Sequence, residues 1–167
     1  MRIIVCDTGP ILHLREANLL ELLQKVGRTY IPKAIDNELR VLENTWCLEK
    51  PEWIHVKALS KEEKEKADLF CKAKMLDRGE AEAIFLARKL KVNWFLTDDT
   101  AARVFAQGIG IETHGSLGLI LWSSAQGRLS YESAKSAIEN LFNTSLWLSR
   151  KIKKKAYEAL DQIFMEE

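Results

Sequence analysis

Residues 3–12 read IIVCDTGPIL, and the expected fold follows from this stretch. A β-branched apolar run ends at Asp7, and the Thr-Gly-Pro that comes next favours a turn into a helix. The pattern returns at residues 94–99, WFLTDD, where another apolar run leads into two aspartates. Short strands that alternate with longer helices predict an α/β fold of three layers, in which helices cover both faces of a short-stranded, mainly parallel sheet.

The rest of the chain continues this alternation. Strand candidates are the apolar runs at residues 3–6, 29–31, 94–96 and 109–112, with a stretch of uncertain type at 53–56. Helical patterns cover residues 10–23 with a break near 17–18, 32–42, 80–90, 99–107 and 117–125, and extra C-terminal helices are predicted at 131–142 and 148–164. A further helix is predicted to begin after Ser60, which forms a capping-box pattern with Glu63. Gly108 is expected to end the helix predicted at residues 99–107.

The composition is that of an ordinary globular protein. The 167 residues suffice for one domain with a substantial core, and the net charge of +1 neither favours nor opposes nucleic acid. The three cysteines have no CxxC spacing, which argues against a disulfide framework or a zinc knuckle. We see no signal-peptide pattern and no apolar run of membrane length, so we expect a cytoplasmic protein with no membrane partner.

Acidic residues occupy positions where a folded protein has little structural use for charge. Asp7, Asp98 and Asp99 follow strands, and the carboxyl ends of parallel strands meet at one edge of a sheet. Glu38 falls within the apolar stripe of its helix, and Glu80 shares a helix face with alanines and an isoleucine. Carboxylates repel one another when they are held together, whereas hard cations prefer oxygen ligands. The set therefore indicates a site for Mg²⁺ or Mn²⁺.

Each of these residues also has a structural explanation, which the sequence leaves open. Asp7 is a candidate N-cap, and one of Asp98 and Asp99 is expected to cap the next helix, so the metal-side residue of that pair is undecided. Glu38 is alternatively an edge-of-stripe residue. Glu80 alternatively stabilises the first turn of its helix by interacting with the helix dipole.

Several neighbouring polar residues are assigned to positions away from these acidic faces. Asp36, Asn37 and Arg40 are placed on the polar side of the helix that carries the second acidic position. Glu82 is predicted to point away from the face of its helix that carries the third. His114 is assigned to a surface turn after the last strand.

Four segments together resemble the PIN-domain family of metal-dependent ribonucleases, which includes the toxins of VapC-like toxin–antitoxin pairs. Residues 3–12 look like the family's opening strand and first aspartate, and residues 31–39, IPKAIDNEL, look like its second acidic motif. Residues 79–84, GEAEAI, are similar to the third motif, and residues 96–99, LTDD, are similar to the fourth. The resemblance covers roughly residues 1–125 and is strongest to a poorly characterised, mainly prokaryotic branch.

The resemblance implies a nuclease domain at residues 1–128 and a helical extension at 129–167, packed on the same domain or on a partner. The implied activity is endoribonucleolytic hydrolysis of RNA phosphodiester bonds with Mg²⁺ or Mn²⁺ as cofactor. The implied catalytic residues are Asp7, Glu38, Glu80 and Asp99. The implied metal ligands are Asp7, Glu80, Asp98 and Asp99, although toxin members often carry Asp where this chain has Glu80. Candidate substrate contacts are Thr8, Arg103 and Lys33. Arg103 is alternatively predicted to form an ion pair with Asp99, four residues before it.

The implied partners are RNA, an antitoxin protein and a second copy of the chain. An alternative interpretation is a non-catalytic PIN-like binding module, whose acidic pocket engages a basic protein partner. The retention of four mutually repelling acidic positions favours the enzyme, because a scaffold without activity has no need of them.

Overall fold

A computed structural model describes residues 1–72 and 76–165 of the chain. Its centre is a sheet of five parallel strands in the order β3-β2-β1-β4-β5. The strands are β1 (Arg2–Cys6), β2 (Gly27–Pro32), β3 (Ile54–Lys57), β4 (Trp94–Leu96) and β5 (Thr113–His114). Helices flank this sheet, which confirms the predicted three-layer α/β/α architecture. The uncertain stretch at 53–56 is largely the edge strand β3.

Except for the short helix at residues 46–49, which was not predicted, the helices match the predicted positions closely. They are α1 (Thr8–Glu16), α2 (Glu21–Val26), α3 (Lys33–Leu42), α4 (Trp46–Glu49), α5 (Lys61–Lys72), α6 (Arg78–Leu90), α7 (Thr100–Gly108), α8 (Ser116–Ala125), α9 (Tyr131–Phe142) and α10 (Arg150–Met165). The predicted break near residues 17–18 separates α1 from α2, at Asn18 with a φ of 57°. Ser60 and Glu63 form the predicted capping box at the start of α5. Within the part of the chain that the structure describes, no helix is both long and apolar enough to cross a membrane.

The connections between successive strands change their direction across the sheet between β1 and β4. Chain connections run outward from β1 through β2 to β3, whereas β4 and β5 lie on the other side. In open α/β sheets, ligands bind outside the carboxyl ends of the strands at such a switch point. The register pairs Cys6 with Leu96, and the backbone N–H of Asp7 donates to the carbonyl of Leu96 at 2.9 Å. The residues after both strands therefore meet at this point.

The end of α7 and the last strand differ from the prediction. Gly108 is the last residue of the helix rather than its stop signal, and Gly110, with a φ of 83°, takes the left-handed position in the turn. The backbone N–H of Ile111 still bonds back to Ala106, so the turn occupies residues that were assigned to a strand. Consequently, β5 begins at Thr113, and His114 lies in this strand instead of the surface turn expected for it.

The two last helices pack against α8 and against each other. Ala156 and Leu160 are the buried residues of α10. The hydroxyl of Tyr131 donates to Asp161 at 2.7 Å, which ties the start of α9 to the end of α10. The C-terminal helices thus lie on the body of the protein.

Candidate functional site

A cleft of about 350 Å³ opens at the carboxyl edge of the sheet, between β1 and β4. Six carboxylates line it, and they come from four separate segments of the chain. Five of them are the predicted acidic positions, and the sixth, Asp77, was not predicted. The lining residues are Asp7, Thr8, Gly9, His13, Glu38, Asp77, Glu80, Asp98, Asp99 and Leu146.

Asp7 lies at the floor of this acidic cleft and is only 6% exposed. It caps α1, because one carboxylate oxygen accepts from the Thr8 N–H at 2.8 Å, and the other accepts from the Thr97 hydroxyl at 2.9 Å. Burial raises the pKa of Asp7 to about 6, with additional repulsion from Asp77 and Glu38, in spite of these two hydrogen bonds. The capping role and a place in the cleft are therefore compatible.

Glu38 reaches the acidic cleft from α3. Its Oε2 accepts a hydrogen bond from the Thr8 hydroxyl at 2.5 Å. Burial raises the pKa of Glu38, and the charges of Asp77 and Glu82 add to the effect. An added Cβ on Gly79 would lie 2.0 Å from Oε1 of Glu38, so the glycine provides the room that this carboxylate occupies.

Glu80 and Asp77 form a capping box at the start of α6. The Glu80 N–H donates to Asp77 at 2.8 Å, and the Asp77 N–H donates to Oε2 of Glu80 at 2.9 Å. Burial raises the pKa of Glu80 to about 7, and repulsion from Asp77, Asp7 and Asp99 contributes. The helix-terminus explanation for Glu80 is thus correct, and the same carboxylate also lines the cleft.

The two adjacent aspartates have different surroundings. Asp98 accepts hydrogen bonds from the Ser116 N–H at 2.7 Å and the Ser116 hydroxyl at 2.6 Å, and it contacts Nδ1 of His13 at 2.7 Å. Burial raises the pKa of Asp98, but the bonds from His13 and Ser116 outweigh burial and hold it below its usual value. Asp99 is exposed and caps α7, where one oxygen accepts from the Ala102 N–H at 2.8 Å. Because both oxygens of Asp98 have protein partners, Asp99 is the freer of the two.

The donor set suits a hard divalent cation in its chemistry. All six carboxylates offer oxygen, the ligand atom that Mg²⁺ and Mn²⁺ prefer, and no Lys or Arg of the described residues belongs to the lining of the acidic cleft. Burial, with repulsion from neighbouring carboxylates added to it, raises the pKa of Asp7 and of Glu80, and bound positive charge would favour their ionised forms. Across residues 1–72 and 76–165, however, no three His, Cys, Asp or Glu side chains are already grouped as a metal site. Binding would therefore require some of these side chains to change rotamer.

The two predicted basic contacts lie beside the acidic cleft rather than in it. Lys33 donates to Asp36 at 2.7 Å and faces a neighbouring pocket that also touches Glu38. Arg103 donates through Nη2 to the Thr97 carbonyl at 3.2 Å and lines a second cleft on the other side. The predicted ion pair between Arg103 and Asp99 is not among the salt bridges of the described residues.

Two acidic residues that were assigned to the other faces of their helices are buried. Asp36 has no exposed surface and accepts hydrogen bonds from Lys33, Arg40 and the Trp46 indole, because the short helix α4 packs over the face that appeared polar. Burial raises the pKa of Asp36, but these bonds outweigh burial and lower it. Glu82 is 2% exposed and pairs with Arg78 at 3.3 Å. It is buried because α6 packs on α3 as well as on the sheet.

Three residues of this region were not predicted from the sequence. Asp77 carried a detectable signal, because the sequence DRGE at 77–80 is a capping-box pattern of an acidic N-cap with Glu three residues later. His13 and Ser116 had no such signal. They meet Asp98 from positions 85 and 18 residues away along the chain, respectively, a proximity that only the fold creates.

Comparison with known proteins bears on this arrangement. A family model described as a PIN domain matches residues 3–162. The match therefore contains every residue of the acidic cleft, and it extends past residue 125 into the two C-terminal helices. A search of curated proteins finds no match to the chain.

Proposed function

The chain belongs to the PIN-domain family, and from that premise we propose that it is a metal-dependent endoribonuclease whose active site is the acidic cleft. The observation that carries the proposal is the convergence of six carboxylates at the switch point of the sheet, with neither lysine nor arginine among the described residues of the lining. Structural use alone does not explain this convergence, since burial, together with repulsion from neighbouring carboxylates, raises the pKa of Asp7 and of Glu80.

We assign the metal ligands within this set by how many contacts their oxygens already make. Asp7, Glu80 and Asp99 would hold the Mg²⁺ or Mn²⁺ ion, with Asp77 as an additional candidate that the sequence did not reveal. Asp98 is less suited as a direct ligand, because its two oxygens already make three contacts, two with Ser116 and one with His13, whereas each oxygen of Asp7 accepts a single hydrogen bond. Its proposed role is to hold His13 and the start of α8 in position beside the cleft.

The reaction is hydrolysis, in which a water oxygen bonds to phosphorus while the bond from phosphorus to the departing ribose oxygen breaks. When bound, a hard cation supplies positive charge for the phosphate oxygens and acidifies nearby water. Glu38 orients the attacking water and accepts its proton through Oε1, and the raised pKa of this carboxyl makes it a stronger base. The Thr8 hydroxyl fixes the Glu38 carboxylate by donating to Oε2. The departing ribose oxygen takes a proton from solvent.

The biological role that we propose is that of a toxin in a toxin–antitoxin pair, acting on RNA in the cytoplasm. An antitoxin protein and a second copy of the chain are the proposed protein partners. The cytoplasmic location is supported by the three cysteines, none of which forms a disulfide. For the domain organisation, we propose that residues 1–128 carry the nuclease site and that residues 129–167 form a helical extension packed on it.

The test is RNA cleavage by the purified protein with Mn²⁺, with Mg²⁺ and with EDTA. Asp7→Asn should lose cleavage by at least about a hundredfold, because a ligand and its charge are removed from the reacting centre. The matched control is Asp68→Asn, the same chemical change at an exposed position on α5. Equal cleavage by the wild type and Asp7→Asn would refute the assignment of the site.

A second candidate function is the non-catalytic binding module. A cleft whose described lining contains neither Lys nor Arg would also suit an arginine or lysine brought by a basic protein partner. Mn²⁺ titration separates the two, because the module has no need to bind the ion. A protein that neither binds Mn²⁺ nor cleaves RNA would favour the module.

A further inference from the structure

A second cleft of about 470 Å³ adjoins the acidic cleft. Asp98 and Leu146 line both clefts. The clefts are therefore adjacent, and an extended ligand can run from one into the other. Leu117 and Leu121 supply apolar lining, while Arg103 contributes charge. We call this the aromatic cleft, after Trp147 at its mouth.

The side chain of Trp147 is 82% exposed, although hydrogen bonds hold the residues on either side of it. It lies in the connection between α9 and α10, and the preceding Ser145 binds the Glu16 carboxylate through both its N–H at 2.7 Å and its hydroxyl at 2.8 Å. Leu146 is partly buried between the two clefts. On the other side, Ser149 caps α10 by accepting from the Ile152 N–H at 3.2 Å. The backbone on both sides of Trp147 is therefore held in place, while the indole ring remains open to solvent.

Positive charge continues from the aromatic cleft along α10. Arg150, Lys151, Lys154 and Lys155 are all exposed, and their spacing places them on one side of the helix. At the inner end of the cleft, Arg103 uses Nη2 to hold the Thr97 carbonyl, and its buried Nε finds no hydrogen-bond partner among the described residues. An acidic cleft is thus followed by an aromatic ring and then by a basic helix face.

From this order of surfaces we propose that the aromatic cleft binds the unpaired nucleotides that flank the scissile phosphate of a single-stranded RNA. A base stacks on Trp147, and the phosphates that follow pass along the basic side of α10. This inference rests on the proposed ribonuclease function and adds a strand path and a stacking residue to it. Aromatic side chains bind unpaired bases of any sequence by stacking, and basic grooves follow the backbone of the strand.

The experiment measures the affinity of the full-length protein for a short fluorescein-labelled single-stranded RNA by fluorescence anisotropy in EDTA. Trp147→Ala should weaken binding at least about fivefold, because one stacked base is lost. Trp147→Phe should bind within about twofold of the wild type, since the ring is retained. The control is Leu48→Ala, which removes another exposed apolar side chain (90% exposed) that lines neither cleft.

Two further readouts distinguish stacking from a structural effect. RNA should quench tryptophan fluorescence in the wild type, and most of this quenching should disappear in Trp147→Phe although its affinity is kept. Lys151→Gln combined with Lys155→Gln should reduce the slope of log affinity against log salt by about 1.4, or about 0.7 for each phosphate contact. A duplex of the same sequence should bind equally to the wild type and to Trp147→Ala, because its bases are already stacked.

The outcomes separate this inference from the proposed function. If the wild type cleaves RNA but Trp147→Ala binds the single strand as tightly as Leu48→Ala does, the strand path is wrong and the nuclease assignment stands. In that case Trp147 serves another partner, such as a protein, or none. If RNA binding depends on Trp147 but cleavage is absent with every metal, the strand path stands and the nuclease assignment fails. Absence of RNA binding by the wild type would overturn both.

Discussion

Replacing Asp7 by Asn should make the metal-free protein more stable while it removes activity. The difference between a pKa of about 6 in the folded protein and the ordinary value of 3.8 corresponds to roughly 3 kcal/mol of unfavourable charge burial, at about 1.4 kcal/mol per pKa unit. Asparagine keeps an oxygen for the Thr8 N–H. Its amide nitrogen then faces the Thr97 hydroxyl as a donor, where the carboxylate oxygen accepted a hydrogen bond, and this mismatch costs about 1 kcal/mol.

The net expectation for Asp7→Asn in EDTA at pH 8 is therefore a gain of roughly 2 kcal/mol in the free energy of unfolding. For a chain of this length the gain corresponds to an increase of about 4–8 °C in Tm. The sign follows from linkage: the folded carboxyl retains its proton up to about pH 6, whereas the unfolded one releases it near pH 4. Ionisation of Asp7 therefore destabilises the folded wild type above pH 6, and the effect vanishes below about pH 4.

Mn²⁺ should reverse the order of the two proteins. At a concentration of 100 times Kd, binding to the folded wild type adds about 2.7 kcal/mol, whereas Asp7→Asn has lost a ligand and gains little. Urea denaturation at pH 8 with and without Mn²⁺ measures both differences, and Asp68→Asn serves as the control that should follow the wild type. An Asp7→Asn variant that is less stable than the wild type in EDTA, or equally stabilised by Mn²⁺, would refute this reasoning.

Three other predictions follow from the same contacts. In EDTA the free energy of unfolding of the wild type should fall as pH rises from about 4 to about 7, because folded Asp7 and Glu80 keep protons that the unfolded chain has released. An increase in the free energy of unfolding over this pH range, measured by denaturation at several pH values, would contradict this prediction. Gly79→Ala should displace the Glu38 carboxylate and reduce RNA cleavage at least about tenfold, with much less effect on Tm; unchanged cleavage would count against the role of Glu38. Asp36→Ala should lower the free energy of unfolding by about 1–3 kcal/mol, because it leaves the buried Trp46 indole N–H unpaired; a urea midpoint equal to that of the wild type would show that this bond is dispensable.

The parallel sheet could be predicted because its signals are local. The apolar runs that end at Asp7 and at Asp98 determine both the strands and the edge at which they end. The strand predicted at residues 109–112 was wrong because Ile109 and Ile111 look like strand residues, yet their N–H groups bond back to α7. Because of its tertiary pairing the strand begins at Thr113, and no pattern in the sequence indicates this later start.

The candidate site was only partly predictable for a related reason. Helix periodicity correctly indicated that Glu38 faces inward, but it described one face of each helix. Asp36 and Glu82 lie on other faces that α4 and α3 cover, so their burial depends on packing between helices that are distant in sequence. The pairing of His13 with Asp98 likewise requires the strand order, which sequence reasoning did not supply.

The most direct test of the account measures Mn²⁺ binding and RNA cleavage on the same preparation across one range of Mn²⁺ concentrations. Half-maximal cleavage should occur at the Mn²⁺ concentration that half-saturates the protein, and Asp7→Asn should lose both binding and cleavage while Asp68→Asn keeps both. Cleavage that persists in EDTA, or an Asp7→Asn protein that binds Mn²⁺ and cleaves RNA like the wild type, would contradict the claim that the acidic cleft is a metal-dependent nuclease site.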